Sequence, residues 1–157
     1  VILDTLDAAA ALVAAQVCAE LGIQNIAEAP KTKRHGVQWE AYGTRIISLV
    51  SALIALRKNV IVLGHTKPAA YGEDGKLKSE EGLDIYGKAA RTVYARVDNI
   101  GHMSAVNEGG VTKTVLSFRG GIDTTRGSRH PALRDKEIIL PRENGYAVFE
   151  RLFTEAK

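Results

Sequence analysis

The chain opens with Val1-Ile2-Leu3-Asp4-Thr5-Leu6-Asp7, a short apolar run that ends in acidic residues. Such a run is typical of a buried parallel strand whose carboxylate emerges at the carboxyl end of the strand. In open α/β sheets, ligands bind at that edge. We therefore interpret Val1–Asp4 as a core strand and Asp4 as a candidate ligand-binding residue.

A second apolar run, Asn59–Gly64, predicts another buried strand and places His65 at its carboxyl end. Helical spacing of apolar residues predicts two helices between these strands, over residues 7–21 and 38–57. Asp7 is the expected cap of the first helix, and Gly22 its expected end. Two parallel strands joined by a helical crossover bring Asp4 and His65 to one edge.

The second half of the chain predicts smaller elements. Residues 66–82 are polar and contain glycine, which indicates a long loop, and a short helix is expected within residues 83–97. Two strands separated by Asn107-Glu108-Gly109-Gly110 predict an antiparallel hairpin over residues 97–118. A short strand over Glu137–Leu140 and a helix over Tyr146–Glu155 complete the prediction.

Composition narrows the class of protein only slightly. The chain has 157 residues, a net charge of +3 and 45% hydrophobic residues, as in ordinary soluble domains. Cys18 is the only cysteine, which excludes an internal disulfide and suits a reducing compartment. There is no apolar stretch of about 18 residues and no secretory signal pattern, so a cytoplasmic location is expected.

The order of these motifs resembles the RecA-like recombination ATPases, particularly the compact phage-encoded nucleotide-binding proteins. Val1–Asp4 with Thr5 is similar to their Walker B strand, and Asn59–His65 with Thr66-Lys67 is similar to the next strand and its phosphate-sensing residue. The resemblance covers about residues 1 to 120. It implies an α/β RecA-like core with a mostly parallel sheet flanked by helices and a C-terminal antiparallel hairpin.

The resemblance also implies roles for individual residues. Asp4 and Thr5 would position Mg²⁺ and water, and His65 would respond to the γ-phosphate of ATP, with Lys67 as a further nucleotide-binding candidate. Arg119 falls where such proteins place a cationic finger into the nucleotide site of a neighbouring subunit. Arg126 and Arg129 are rival candidates. The alternatives are a turn cap for Asp4, a structural hydrogen bond for His65 and a solvated basic loop for the arginines.

One departure from the family pattern concerns the N-terminal half. The glycine-rich P-loop, GxxxxGK[ST], and the water-activating glutamate of the family lie before the equivalent of Val1. We therefore interpret residues 1–157 as a single partial RecA-like ATPase domain from the Walker B strand onward. An upstream P-loop is expected in the complete gene.

Two loops are candidates for contact with single-stranded DNA, because Lys and Arg neutralise phosphates without reading sequence. The basic loop contains Lys31, Lys33 and Arg34, and the second loop contains Lys67, Lys76 and Lys78. Four acidic residues share the second loop and leave it with little net charge. Tyr71, also in the second loop, is a candidate for base stacking.

These patterns together predict a Mg²⁺-dependent ATPase that assembles head-to-tail on single-stranded DNA, as a filament or ring, in phage-type recombination or annealing. A phage-encoded protein would act in the cytoplasm of a bacterial host. One alternative is a hexameric replicative helicase of DnaB type. Another is a degenerate RecA-like module that only binds DNA or a partner.

Overall fold

Two short strands, β1 (Ile2–Leu3) and β2 (Ile61–Val62), pair in parallel in the computed structural model, which describes residues 1–31, 34–86 and 88–154. Ile2 lies opposite Ile61 and Leu3 lies opposite Val62. This pairing confirms the prediction that the two apolar runs form neighbouring parallel strands. The prediction that both strands are buried was wrong, because Ile2 is 66% exposed and Ile61 is 54% exposed. The pairing also brings the residues that follow each strand to the same edge.

Helix α1 (Leu6–Leu21) begins directly after β1. The Thr5 hydroxyl oxygen accepts a hydrogen bond from the Ala8 backbone N–H at 3.3 Å, so Thr5 caps the helix and the prediction of Asp7 as the cap was wrong. The cap lies two residues earlier because a threonine oxygen serves this role well. Gly22, with φ of 65°, ends the helix as predicted.

Helix α2 (Val37–Ala55) packs against α1 and supplies much of the core around it. Tyr42, Ile46 and Val50 recur at steps of four, so they lie on one face, and each is at most 2% exposed. The helix was predicted to continue to residue 57. That part was wrong, because the helix ends at Ala55 and Leu56 is half exposed.

Residues 66–82 form strands rather than the predicted long loop. Strand β3 (Thr66–Lys67) pairs with β6 (Gly82–Leu83), and β4 (Ala70–Tyr71) pairs with β5 (Leu77–Ser79), both antiparallel. The turn between β4 and β5 contains Asp74-Gly75: Gly75 has φ of 72°, and the Asp74 carboxylate accepts the Lys76 backbone N–H. An Asp-Gly pair is itself a hairpin signal.

Helix α3 (Ala89–Tyr94) follows β6 and lies within the segment where a short helix was predicted. The remaining elements are β7 (Asn99–Ile100), β8 (His102–Glu108), β9 (Val111–Ser117), β10 (Gly127–Ser128), β11 (Glu137–Leu140) and α4 (Gly145–Thr154).

A three-stranded antiparallel sheet in the order β11-β9-β8 confirms the predicted hairpin and the predicted strand over Glu137–Leu140. The hairpin turn is only Gly109-Gly110, both with positive φ, because Asn107 and Glu108 continue the strand. Phe118, Leu133 and Ile138 form a buried core in this region. The partly buried apolar side chains of α4 pack against that core.

The chain divides into a first unit (Val1–Pro68 and Gly82–Arg96) and a second unit (Ala69–Glu81 and Val97–Lys157). The prediction of a single domain over residues 1–157 stays a prediction, since two such units can be parts of one domain. The mixed α/β class is confirmed. A mostly parallel sheet is not observed, because among the named strands of the described residues only β1 and β2 pair in parallel.

Two of the antiparallel pairs that follow β2, β4–β5 and β8–β9, are hairpins joined by short turns, which connect antiparallel neighbours. This explains why the second half departs from the expected parallel arrangement. No helix of the described residues is both long and apolar enough to cross a membrane.

Candidate functional site

The carboxyl end of the β1–β2 pair places an exposed carboxylate, Asp4, directly after β1. No group in the described part of the chain donates a hydrogen bond to that carboxylate. Thr5 follows it as the cap of α1, and the peptide bond between Asp4 and Thr5 is cis. The Asp4 carboxylate is therefore available for an external ligand rather than acting as a turn cap.

His65, three residues beyond β2, lies against the first turn of α1. Its backbone N–H donates to Asp7 Oδ1 at 3.0 Å, and its ring Nδ1 is 2.9 Å from Asp7 Oδ2. The Asp7 side chain is 21% exposed, whereas the His65 side chain is 77% exposed. Both carboxylate oxygens of Asp7 are thus engaged by one residue, and most of the imidazole still faces solvent.

This pairing shifts the titration of both groups. Burial raises the pKa of Asp7, but the hydrogen bonds from the His65 ring and backbone outweigh it, and the pKa falls to about 2. The hydrogen bond to Asp7 and its negative charge raise the pKa of His65, with smaller contributions from Asp4 and Asp84. The arrangement favours an imidazolium beside carboxylates, and an imidazolium can donate hydrogen bonds to an anion.

Two further contacts hold His65 in the first unit. The His65 carbonyl accepts a hydrogen bond from the Asp84 backbone N–H at 2.9 Å, just beyond β6. Gly64 lies against β6 so closely that a Cβ at Gly64 would be 2.5 Å from Leu83 Cδ2. Because glycine lacks that atom, the Leu83 side chain can pack at the end of β2. Glycine at position 64 therefore permits the close approach of β6.

Lys67, the further nucleotide candidate, is exposed in β3. Its ammonium reaches the Ile85 carbonyl at 3.5 Å, a long hydrogen bond that leaves other donors for an external group. Asp4, Thr5, His65 and Lys67 therefore all lie in the first unit, on segments that leave the β1–β2 pair.

The donor set fits a magnesium–nucleotide complex better than a metal ion alone. The described residues contain no group of three or more His, Cys, Asp or Glu side chains that could hold a metal ion. Mg²⁺ in nucleotide sites needs only one or two carboxylates, with the phosphates and water completing its coordination. Asp4 is exposed and has no hydrogen-bond partner in the part of the chain that the structure describes, so its carboxylate has the chemistry of such a ligand.

The three candidate arginines lie in the second unit and differ in their surroundings. Arg119, directly after β9, has a side chain that is 65% exposed and 3.5 Å from Glu137. Arg126 is only 22% exposed and donates from one nitrogen to both carboxylate oxygens of Glu81, at 2.9 and 3.2 Å. Arg129 lies 3.6 Å from Asp98.

Glu81 is the residue of this group that sequence reasoning missed, because it was counted only as a charge in a loop. Its carboxylate also lies 3.5 Å from the His102 ring, and its backbone carbonyl accepts from the Thr125 hydroxyl at 3.1 Å. These contacts make Arg126 part of an internal network. Arg119 is the more accessible cation.

The candidate DNA-binding residues are mostly solvent-exposed. Lys31 and Arg34 are exposed in the basic loop, where Arg34 forms an ion pair with Glu40, and Lys33 lies outside the described residues. On the β4–β5 hairpin, Lys76 pairs with Asp74 at 3.2 Å. Lys78 is exposed on the same hairpin.

The aromatic side chains of the two units differ in burial. Tyr71 is 55% exposed, and its hydroxyl donates to Asp123 at 2.9 Å, so one end of the ring is fixed while part of its surface faces solvent. Tyr42 is buried at 1% exposure, and Tyr86 packs against both Tyr42 and Trp39. Tyr42 therefore belongs to the core, whereas Trp39 is only partly buried and Tyr86 is 50% exposed.

Comparison with known families identifies the class of protein. Residues 1–130 match a family described as an AAA domain. Because this match covers most of the chain, the chain belongs to the AAA domain family, a P-loop NTPase class of nucleotide-binding proteins. No curated protein and no solved structure matches the chain. The general prediction of a P-loop NTPase-type domain is confirmed; the roles of individual residues stay predictions.

Proposed function

We propose that the chain belongs to an ATP-dependent recombination or annealing protein of the phage type, with a RecA-like core that binds single-stranded DNA. The observation that supports the nucleotide part is the exposed Asp4 carboxylate at the carboxyl end of a parallel strand pair. It has no hydrogen-bond partner among the described residues. Membership of the AAA domain family supports the same conclusion independently.

The proposed nucleotide site uses groups from both strand ends. Asp4 and Thr5 would hold Mg²⁺ and its water, and Lys67 would contact the phosphates. A bound Mg²⁺ supplies charge neutralisation of the transferring phosphoryl group. His65, held by Asp7 and favoured as a cation, is suited to contact the terminal phosphate. The Asp84 backbone N–H donates to the His65 carbonyl, so a movement of His65 would also move the end of β6.

Arg119 is our choice for a cationic finger that completes the site of a neighbouring subunit. Such a finger must be free to reach a phosphate on another molecule, and its value lies in stabilising charge on the transferring group. Arg119 meets that need because its ion-pair partner among the described residues, Glu137, is 3.5 Å away and its side chain is largely exposed. Arg126 is less suitable because Glu81 already accepts from it twice.

A finger supplied in trans requires a heterologous, head-to-tail interface, which closes into rings or continues as filaments. We propose such an assembly on single-stranded DNA, gripped by the basic loop and by Lys76 and Lys78. Exposure of Lys31 and Lys78 supports this proposal, because exposed cations can reach phosphates. Lys76 and Arg34 would have to exchange their ion pairs with Asp74 and Glu40 for a phosphate.

A mixing experiment tests the proposal in the full-length natural protein. Arg119→Ala should lose DNA-stimulated ATP hydrolysis while retaining nucleotide binding, and Asp4→Asn should lose hydrolysis through its own site. Mixed assemblies of the two should recover part of the activity, because some junctions pair an intact finger with an intact metal site. Verified co-assembly without recovery would contradict a finger in trans, and ATP-driven strand separation would point instead to a helicase.

A further inference from the structure

Asp7 contacts His65, a residue of the proposed nucleotide site, but the proposed function assigns Asp7 no role of its own. Asp7 lies in the first turn of α1. One of its carboxylate oxygens accepts a hydrogen bond from the His65 backbone N–H, and the other contacts the His65 ring Nδ1. A carboxylate that binds both the backbone N–H and ring Nδ1 of one histidine restricts both side-chain torsions of that residue. The imidazole is therefore held from behind by a residue 58 positions away in the chain.

The two contacts also decide which ring atom is available. A carboxylate at Nδ1 accepts a hydrogen bond, so the proton of the neutral ring resides on Nδ1 and the lone pair on Nε2. With Nδ1 engaged and the side chain 77% exposed, Nε2 is the ring nitrogen presented for contact with another molecule. In the imidazolium Nε2 also carries a proton, and only in that form can it donate a hydrogen bond to a phosphate.

We propose that Asp7 is a positioning residue, which holds the His65 imidazole by Nδ1 so that Nε2 is the atom that meets the terminal phosphate of a bound nucleotide. This inference rests on the proposed function, since it assigns Asp7 a role only if His65 acts at the nucleotide site. It adds a residue to that site and specifies the ring atom of His65 that reacts to the ligand.

The geometry explains why an unsupported histidine would not be sufficient. An exposed imidazole without Asp7 populates several rotamers, and each immobilised side chain costs free energy when the ligand binds. Asp7 restricts the imidazole before the ligand binds. It can do so because one of its oxygens accepts a hydrogen bond from the His65 backbone N–H, which fixes the carboxylate itself. Preorganised donors of this kind act mainly on the rate of the chemical step.

The first test measures which ring nitrogen of His65 carries the proton. Asp7→Asn keeps the shape of the side chain, but an amide has only one oxygen that accepts hydrogen bonds. It therefore cannot accept from both the His65 backbone N–H and Nδ1–H. In ¹⁵N-edited spectra of the full-length natural protein, recorded above the pH at which His65 titrates, wild type should show the proton on Nδ1. Asp7→Asn should move it wholly or partly to Nε2. A wild-type ring with its proton on Nε2, or spectra that Asp7→Asn leaves unchanged, would overturn the proposal.

The second test is a double-mutant cycle on Mg²⁺-dependent ATP turnover. Asp7→Asn should lower kcat by at least about tenfold with a smaller change in KM, and in a His65→Gln background it should have almost no further effect. The matched control is Glu20→Gln, the same chemical change on α1, where Glu20 pairs with Arg45. That variant should keep wild-type turnover.

The outcomes separate this inference from the proposed function. If His65→Gln leaves turnover unchanged, the role of His65 at the nucleotide site fails and Asp7 loses its proposed task, whatever the ring spectra show. If His65→Gln lowers kcat but Asp7→Asn does not, only the positioning role fails. Equal, additive losses from both variants would likewise contradict it.

Discussion

The contrast between Arg126 and Arg119 gives a quantitative prediction. We expect Arg126→Ala to destabilise the second unit and Arg119→Ala to leave its stability nearly unchanged. The physical difference is burial: the Arg126 and Glu81 side chains are each 22% exposed and share two hydrogen bonds, whereas Arg119 is 65% exposed and its pair with Glu137 is 3.5 Å long.

The magnitude for Arg126 lies between two limits. Exposed ion pairs contribute about 0.2–1 kcal/mol, and removing one partner of a buried pair costs about 3–5 kcal/mol. Arg126 Nε is buried without a partner among the described residues, so truncation also relieves an unsatisfied donor. We therefore expect Arg126→Ala to cost about 2 kcal/mol and Arg119→Ala less than about 0.5 kcal/mol.

Hydrogen exchange at the backbone amides of β8 and β9 measures this difference in the unit concerned. A loss of about 2 kcal/mol should speed exchange through opening by about thirtyfold. Glu81→Gln should show a change in the same direction, since it removes the charge that Arg126 faces. Unchanged exchange in Arg126→Ala, together with abolished ATP turnover, would refute the reasoning and make Arg126 the finger.

Three further predictions concern the first unit. Gly64→Ala should cost about 1 kcal/mol, because the new Cβ displaces Leu83, and the loss should shrink in a Leu83→Ala background when unfolding is measured. His65 should titrate above its ordinary value of 6.5, and Asp7→Asn should lower its midpoint in an NMR titration. The lowered pKa of Asp7 means that the Asp7–His65 contact should stabilise the fold fully above pH 3.8, and this stabilisation should be lost as the pH falls towards about 2. The raised pKa of His65 means that stabilisation should also be lost as the pH rises through the His65 titration. Replacing all three cations of the basic loop with alanine should weaken single-stranded DNA binding and flatten its salt dependence; identical slopes would place the DNA contact elsewhere.

The sequence predicted those features that depend on local pattern. The apolar runs around Leu3 and Val62, the spacing within α2, and the two glycines of the β8–β9 turn were each sufficient to locate an element. The β4–β5 hairpin was missed because its strands are short and mostly polar. Only the Asp74-Gly75 pair could have indicated it.

The pairings that define the candidate site could not be read from the sequence. Asp7 and His65 are 58 residues apart, and Glu81 and Arg126 are 45 residues apart, so their contact depends on how whole elements pack. The spacing of Asp4 and Asp7 was a weak signal, because it places two carboxylates at one end of the strand pair. Glu81 carried no local signal that distinguished it from the acidic residues nearby.

The central claim is that Asp4 holds the metal ion of a nucleotide site, and Mg²⁺-dependent ATP hydrolysis by Asp4→Asn in the full-length natural protein tests it most directly. Because Asp4 is exposed and its side chain makes no hydrogen bond within the described residues, the substitution should leave folding intact while turnover falls by at least about tenfold. Wild-type turnover in a well-folded Asp4→Asn protein, at every Mg²⁺ concentration, would contradict the account.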